Sequence, residues 1–560
     1  MSWISLLSEN PFYEFAIILF FAALLGGLGQ ILKQPLIVMF IALGILVGPA
    51  VLDVVKSKDN IHLLSEIGIA ILLFIVGLKL DLRIIKSVGR IALLTGLGQV
   101  LFTSLIGYFI GIGLGFSSLH SFYIAVALTF SSTIIIVKLL TDKKEIDSLH
   151  GQIAIGFLIV QDIVVILVMI VLSTIGKQQD THIMQEIITT AVSGLILIIL
   201  TIIMMRYVLP KISFFLAKSI EMLTLFAVAW AVTLAMAGDL MGFSREVGAF
   251  LAGVSLASSQ FKDVISSRMA SLRDFLLLFF FVNLGINLNL NVIGQQVPEA
   301  LIFSVFVLVG NPLIVLIIMG IMGYRKRTSF LAGLTVAQIS EFSLIFVGLG
   351  LAVGHINDEI VGLITLVGLI TIGLSTYLIL YSHQIYDFIS PALKIFQRKI
   401  PYRELNYKLE IPSNFDIIIF GLGRFGGNIA DMLDHNPEIS YLAVDFDPEI
   451  VKQNKEKGRT IIYGELDDPE IIEQIPLEKT KCIISTVRDS DASMKLIRSL
   501  KRNNYKGKIY LTALNEKDIE MMTPCGADEI LFPQQMAATN FYNSVIVNLI
   551  DKDDSVFKCG

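Results

Sequence analysis

Charge is scarce in this chain. Asp, Glu, Lys and Arg make up only 16% of its residues, against about a quarter in soluble domains, while 54% are hydrophobic. A net formal charge of −5, with no concentrated basic block, excludes nucleic acid as a partner, because binding phosphates takes a positive face that displaces counterions. Cysteine is nearly absent. Cys482, Cys525 and Cys559 all lie in the charged C-terminal part, so there is neither a disulfide framework nor a CxxC metal spacing, and they read as reduced cytosolic thiols. No Lys or Arg precedes Lys33. The first apolar run therefore lacks the basic flank of a cleaved signal peptide and is expected to remain as a membrane helix.

What the chain does have is apolar length. Runs long enough to cross a hydrocarbon core of about 30 Å recur from near Phe12 to near Tyr381, about 13 in all. Their expected spans are 12–30, 35–52, 62–79, 90–115, 120–140, 150–175, 184–209, 219–238, 246–261, 274–293, 299–323, 328–353 and 358–382. Basic residues alternate between the loops. Lys33, Arg83, Lys86, Arg90, Lys143, Lys144, Lys211, Lys218, Lys262, Arg268, Arg325, Lys326 and Arg327 share one side, whereas the other holds little beyond Lys56, Lys58 and Lys177. The basic side is cytoplasmic. An odd number of spans then places the N-terminus outside and the C-terminal part in the cytosol.

Internal similarity points to inverted halves. Gly77 to Leu82 parallels Gly285 to Leu290, and Ala127-Leu128-Thr129 parallels Gly333-Leu334-Thr335, at nearly equal offsets. The third and tenth spans, and the fifth and twelfth, are expected repeat mates running in opposite directions through the membrane. The clustered glycines Gly26, Gly27, Gly107, Gly111, Gly113 and Gly115 read as close helix-packing positions.

An ionisable group in lipid marks function by default, since holding it charged at mid-depth costs roughly 2.5–3.5 kcal/mol. Asp162, preceded by Gln161, lies near the middle of the sixth span, and Glu341 lies comparably deep in the twelfth. The repeat offset maps Asp162 onto Val367 and Gly368, so a single site is expected. A carboxylate so placed can trade a proton for a cation. The fifth span is interrupted by Thr129-Phe130-Ser131-Ser132-Thr133 and its mate by Gln338-Ile339-Ser340-Glu341. Both suit broken helices whose freed carbonyls and opposed dipoles hold a dehydrated cation. Ser131, Ser132 and Thr133 are thus candidate ion ligands beside Asp162 and Gln161. Asn283, Asn311, Gln338 and Glu341 are candidates for the ion pathway.

Past a basic linker with Lys394, Arg398 and Lys399, the pattern changes to short strands alternating with helices. Asp416 to Phe420 reads as a buried strand opening into Gly421-Leu422-Gly423-Arg424-Phe425-Gly426, and the next strand, Tyr441 to Val444, ends at Asp445. That is the dinucleotide fingerprint with its ribose-binding acid. Gly421, Gly423 and Gly426 let the backbone reach a pyrophosphate at the helix N-terminus with Arg424 and Phe425 beside it. Asp445 and Asp447 follow the second strand; Gly464, Glu465 and Thr486 follow later ones, at 460–463 and 482–486, with a further strand at 509–512. No substrate domain with a positioned acid or base accompanies the fingerprint. A sensor is expected, not an enzyme.

The fold class is therefore a polytopic α-helical membrane protein with inverted repeats plus a cytosolic α/β Rossmann-type domain. Its expected divisions are a transporter domain over 1–383, a linker over 384–413 and a nucleotide-binding regulatory domain over 414–560. With Gln161-Asp162, Phe130 to Thr133, Gln338 to Phe342, and Gly421 to Gly426 with Asp445, the chain resembles the Kef-type potassium/proton antiporters of the monovalent cation:proton antiporter-2 family, whose C-terminal domain is the RCK/KTN (TrkA-N) module. The resemblance implies a sodium/proton-antiporter-like fold, a homodimer in a bacterial inner membrane, and alternating access in which H⁺ and K⁺ or Na⁺ compete for Asp162. It also implies a regulatory nucleotide such as NAD(H) or AMP, and allows an ancillary cytosolic regulator. Two positions depart from the family pattern: Lys79 stands where an acid is usual, and Asn311 before Pro312 where many relatives carry a basic residue. A Na⁺/H⁺ antiporter of the same fold remains the alternative. A nucleotide-gated K⁺ channel would need a TVGYG-like filter, which the sequence lacks.

Overall fold

The computed structural model describes residues 10–49, 51–79, 89–175, 199, 201–217, 219–241, 245–287, 296–398, 414–466, 468, 471–472, 475–513 and 515–546. Residues 184–198 and 200 of the seventh expected span (184–209) fall outside them, as do 399–413 of the linker, Leu80 to Leu82, Leu288 to Leu290 and Cys559. The chain divides into a helical unit, which runs to Lys399, and an α/β unit from Ile400 onward.

Among the described residues of the helical unit, eight helices are long and apolar enough to cross a membrane: Pro11–Ile31, Asp59–Leu78, Arg90–Gly113, Leu149–Met169, Ile220–Leu240, Lys262–Ile286, Val297–Ile321 and Asp358–Leu380. Shorter apolar helices stand at Leu36–Val47, Ser118–Ala127 and Glu341–Ala352, and a further short helix at Arg245–Leu256. The fifth expected span is not continuous. It divides into Ser118–Ala127 and Thr133–Asp142. Its mate divides likewise into Lys326–Leu334 and Glu341–Ala352. Hydroxyl residues cause both breaks by offering the backbone alternative partners. Thr129 Oγ1 donates to Ala125 O at 2.8 Å and closes the first half-helix. Ser132 caps the next one by accepting from Ile135 N. At the second break Ser340 accepts from Phe342 N, and Ser343 Oγ accepts in return from Ser340 N, a reciprocal cap.

Reciprocal glycines fix the tightest helix crossings. A Cβ on Gly77 would overlap Phe250 O and one on Gly253 would overlap Phe74 O; Gly44 and Gly285 oppose one another in the same way. Helix 58–79 is thus held at backbone contact with 245–256, and helix 36–47 with 262–286, with Phe74, Phe279 and Val282 fully buried among them. Gly107 and Gly111 pack against Ala125 and Ser121 as expected, but Gly27, Gly113 and Gly115 meet open space. Gly115 instead takes a left-handed φ of 90° just past a helix end, the position where glycine closes a helix. Beyond the last span lies an amphipathic helix, Ser382–Leu393, with Tyr386 and Leu393 buried. It belongs to the helical unit, although its residues from 384 onward fall within the expected linker.

The α/β unit holds six parallel strands in the order β3-β2-β1-β4-β5-β6: β1 Ile417–Phe420, β2 Tyr441–Asp445, β3 Ile461–Tyr463, β4 Cys482–Ser485, β5 Lys508–Thr512 and β6 Glu529–Leu531. Near-continuous apolar runs fit strands covered on both faces, and Ile418, Leu442, Ile483 and Leu511 are fully buried. This is the doubly wound order, whose ligand crevice opens at the strand C-termini beside β1 and β4. β6, three residues long, has no counterpart in the sequence reading.

Candidate functional site

Asp162 lies within the helix Leu149–Ile175, fourteen positions in from its start. Its Oδ2 accepts from Thr133 Oγ1 at 2.8 Å, at the first residue of a half-helix. A carboxylate there meets the positive end of the helix dipole. Among the described residues no Lys, Arg or His forms an ion pair with it. The two breaks meet beside it: Ser131 Oγ donates to Gln338 O at 3.0 Å. Glu341 is buried at the start of the second half-helix.

Gln161 faces away into a buried network that extends the site beyond the residues singled out in the sequence. Gln161 Oε1 accepts from Ser131 N at 3.2 Å, and Gln161 Nε2 donates to Gln99 Oε1 at 2.7 Å. Gln99 Nε2 donates to Thr129 O and to Thr103 Oγ1, both at 3.1 Å. Thr103 Oγ1 donates to Asn311 Oδ1 at 2.9 Å, and Asn311 Nδ2 donates to Leu128 O at 3.1 Å. Each donor and acceptor in this chain is compatible with the next, which fixes the amide orientations. Carboxamides from three helices thus satisfy Leu128 O, Thr129 O and Ser131 N, the backbone groups that the break leaves without helical partners.

Gln99 and Thr103 carried a signal in the sequence, two polar residues four apart and so on one helix face, inside an otherwise apolar run. Asn311 belongs to this network. Gln338 contributes its backbone carbonyl to Ser131, while its side-chain Oε1 accepts from Ser375 at 2.7 Å. Ser132 serves as a cap. Asn283 stands apart: it lines a cavity of about 750 Å³ together with His62, Glu66, Glu246, Asp358 and Glu359.

In the α/β unit the glycine turn takes the shape its residues dictate. Gly421 has φ 88°, and a Cβ there would press within 2.8 Å of Thr486 Oγ1. Thr486 Oγ1 donates to Gly421 O at 2.7 Å, tying the end of β4 to the turn. A Cβ on Gly426 would overlap Gly421 O, whereas Gly423, just before the helix Arg424–Asp434, has nothing within 4 Å of its Cβ position. That opening and the exposed Arg424 at the helix N-terminus suit an approaching phosphate. Asp445 closes β2, with Oδ2 accepting from Leu422 N at 2.6 Å and Oδ1 from Asp447 N at 2.9 Å. Burial pushes its carboxyl up from the ordinary value. Each oxygen keeps a second lone pair for a ribose hydroxyl. Asp447 caps the helix Pro448–Glu456 through Glu449 N. Gly464 N donates to Asp445 O at the end of β3, and Glu465 follows it. The residues present fit the phosphate and ribose of a nucleotide.

Two broken helices that meet within a set of apolar, membrane-length helices, in a chain that continues into a nucleotide-type parallel sheet, are the architecture of a membrane carrier with an attached regulatory domain. The chain belongs to the sodium/hydrogen exchanger family: residues 16–380 match "Sodium/hydrogen exchanger, transmembrane", and residues 417–533 match the TrkA-N domain. Among its relatives is YbaL of Escherichia coli (strain K12), which bears a provisional cation/proton antiporter name; it is 25% identical over 531 residues, 92% of this chain and 94% of YbaL. K(+) efflux antiporter 5 of Arabidopsis thaliana is 30% identical over 342 residues, 59% of each chain. The solved sodium proton antiporter MjNhaP1 of Methanocaldococcus jannaschii aligns over 65% of this chain and 97% of its own, at 16% identity and a TM-score of 0.48. The pairing of exchanger and TrkA-N domains is that of a Kef-type cation/proton antiporter with a regulatory domain.

Proposed function

We propose that this protein exchanges K⁺ for H⁺ at Asp162 by alternating access, K⁺ leaving as H⁺ enters, as a homodimer in a bacterial inner membrane. The observation that carries the reading is the Asp162 carboxylate, bonded to Thr133 where the two breaks meet and without a fixed cationic partner among the described residues. A half-buried carboxylate in such a position, among apolar helices, needs a proton or a mobile cation to offset the cost of its charge. The two compete for one place, and a 1:1 electroneutral exchange follows. Thr133 bonds the carboxylate directly, while Gln161, Ser131 and Ser132 shape the break beside it. Asn311 adds none of the charge that a basic residue would bring.

The test is proton movement in proteoliposomes challenged separately with K⁺ and Na⁺. K⁺ should dissipate an imposed pH gradient and Asp162→Asn should abolish the exchange while the protein still folds. An active variant overturns the mechanism, and a preference for Na⁺ moves the substrate to that of the exchanger family's name.

We further assign the crevice at Gly421, Gly423, Arg424, Gly426, Asp445 and Thr486 to a regulatory nucleotide, NAD(H) or AMP, that gates transport from the cytosol. The open face of Gly423 and the position of Asp445 support this. Gly421→Ala should abolish nucleotide binding by calorimetry while basal exchange persists, since a left-handed backbone disfavours Ala by roughly 1–2 kcal/mol and the new methyl would press on Thr486. Unchanged binding would remove the assignment.

A further inference from the structure

The proposed exchange leaves one partly buried group of charges unused. Glu145 follows the half-helix Thr133–Asp142. Its Oε1 accepts from His383 Nε2 at 2.7 Å and from Lys143 Nζ at 3.0 Å, and its Oε2 from His150 Nε2 at 3.2 Å. The groups come from different elements. His150 opens the helix that carries Asp162. Lys143 Nζ also reaches Ile379 O at 3.1 Å, at the end of the last span, and Ser382 Oγ at 2.7 Å. His383 lies in the first turn of Ser382–Leu393, the helix from which the chain continues toward the α/β unit.

Arg327, at the start of the second broken helix, places Nη2 3.3 Å from His383 Nδ1. Its guanidinium lies 5.6 Å from the centre of the Tyr386 ring. Since Arg only donates, Nδ1 accepts and the His383 proton sits on Nε2, aimed at Glu145. Burial works against the charge on Glu145, but hydrogen bonds from His150 and His383 and the Lys143 ammonium hold its carboxyl well below the usual carboxylate range. Lys326 Nζ adds a longer bond to Ser390 O, at 3.4 Å, on the same helix.

We propose that Glu145 is a positioning residue: with Lys143, His383 and Arg327 it clamps the tether helix Ser382–Leu393 to both broken helices, so that displacement of the tether by the nucleotide domain reaches the ion site. The proposal rests on the gating reading above. Chain continuity alone would deliver a pull to the last span. The clamp delivers it to the half-helices 133–142 and 326–334, whose other ends are the two breaks. Coupling of this kind is reciprocal, so ion occupancy also biases the tether.

The test uses the full-length protein in nanodiscs and proteoliposomes, comparing wild type with His383→Leu and His383→Gln. Leucine removes both hydrogen bonds, whereas glutamine keeps one donor for Glu145 and one acceptor for Arg327. His383→Leu should speed amide hydrogen exchange in residues 382–393 by about fivefold or more, with His383→Gln close to wild type. Basal K⁺/H⁺ exchange should persist in both. The change in exchange produced by NAD⁺, NADH or AMP should fall about fivefold or more in His383→Leu and be restored in His383→Gln.

Undisturbed amide exchange in His383→Leu would overturn the clamp. A full nucleotide response in that variant would reduce the cluster to structural support and overturn the coupling. A wild-type protein indifferent to all three nucleotides overturns gating itself, and the coupling role with it, a failure visible without any variant.

Discussion

The two breaks look alike in sequence and are stabilised differently. The first, over residues 128–132, is held by side chains from elsewhere: Asn311 on Leu128 O, Gln99 on Thr129 O and Gln161 on Ser131 N. The second, over residues 335–340, relies mainly on its own groups. Thr335 Oγ1 returns to Ala332 O, Ser340 and Ser343 cap one another, and outside help comes from Thr371 at 3.4 Å and from Ser131. A break held by remote carboxamides keeps its shape only while those helices stay in place. One held by local caps carries its shape with it. The repeat therefore duplicates the backbone break but not its support, and the half that carries Asp162 has its break tied to three other helices.

Removing the remote support should have the largest effect. Gln99→Leu strands Thr129 O and Gln161 Nε2 in a dry interior. At roughly 1–3 kcal/mol for each of these two buried unsatisfied groups, the loss is about 2–6 kcal/mol. Thermal unfolding in detergent should show a large drop in Tm, and proteoliposome exchange should fall even well below that temperature, because Ser131 to Thr133 lose their anchor beside Asp162. A Gln99→Leu protein with wild-type Tm and exchange would mean that the first break is held as locally as the second.

The contrast sharpens at the second break. Ser343→Ala removes one reciprocal bond to Ser340 N but leaves Ser340 Oγ on Phe342 N, so its cost should be about 0.5–1 kcal/mol, in the range of a lost helix cap. Exchange should continue at near the wild-type rate. An effect on Tm equal to that of Gln99→Leu would erase the asymmetry.

Much of this arrangement was legible before any coordinates. The hydroxyl runs at Thr129 to Thr133 and at Gln338 to Glu341 marked both breaks, because Ser and Thr offer the backbone a competing partner wherever they occur. The glycine turn and Asp445 marked the crevice, since positive φ and a strand-end acid leave local signatures. Gln99 and Thr103 escaped notice because their meaning is tertiary: a glutamine in an apolar run says nothing of which carbonyl it will meet 30 residues away. The Glu145 cluster was invisible for the same reason. Its members lie in or beside short loops, where Lys143 and Arg327 count in sequence only as expected markers of sidedness, and only folding shows that His383 and Glu145 touch across 238 positions.

That cluster gives the finest comparison, because it ties the far ends of both broken helices rather than the breaks. Its carboxyl is depressed in the folded protein. A depressed carboxyl contributes stability that is present above its unfolded pKa, about 4.3 for Glu, and that is lost as pH falls from there toward the folded value. The Tm difference between wild type and Glu145→Gln should therefore be retained at pH 5 and shrink only below the ordinary glutamate range. Ser343→Ala, which removes no titrating group, should show a difference independent of pH over the same interval. A Glu145→Gln difference already lost at pH 5 would show that the Glu145 carboxyl is not held below the ordinary glutamate range, and the ion cluster would not be its stabilising surroundings.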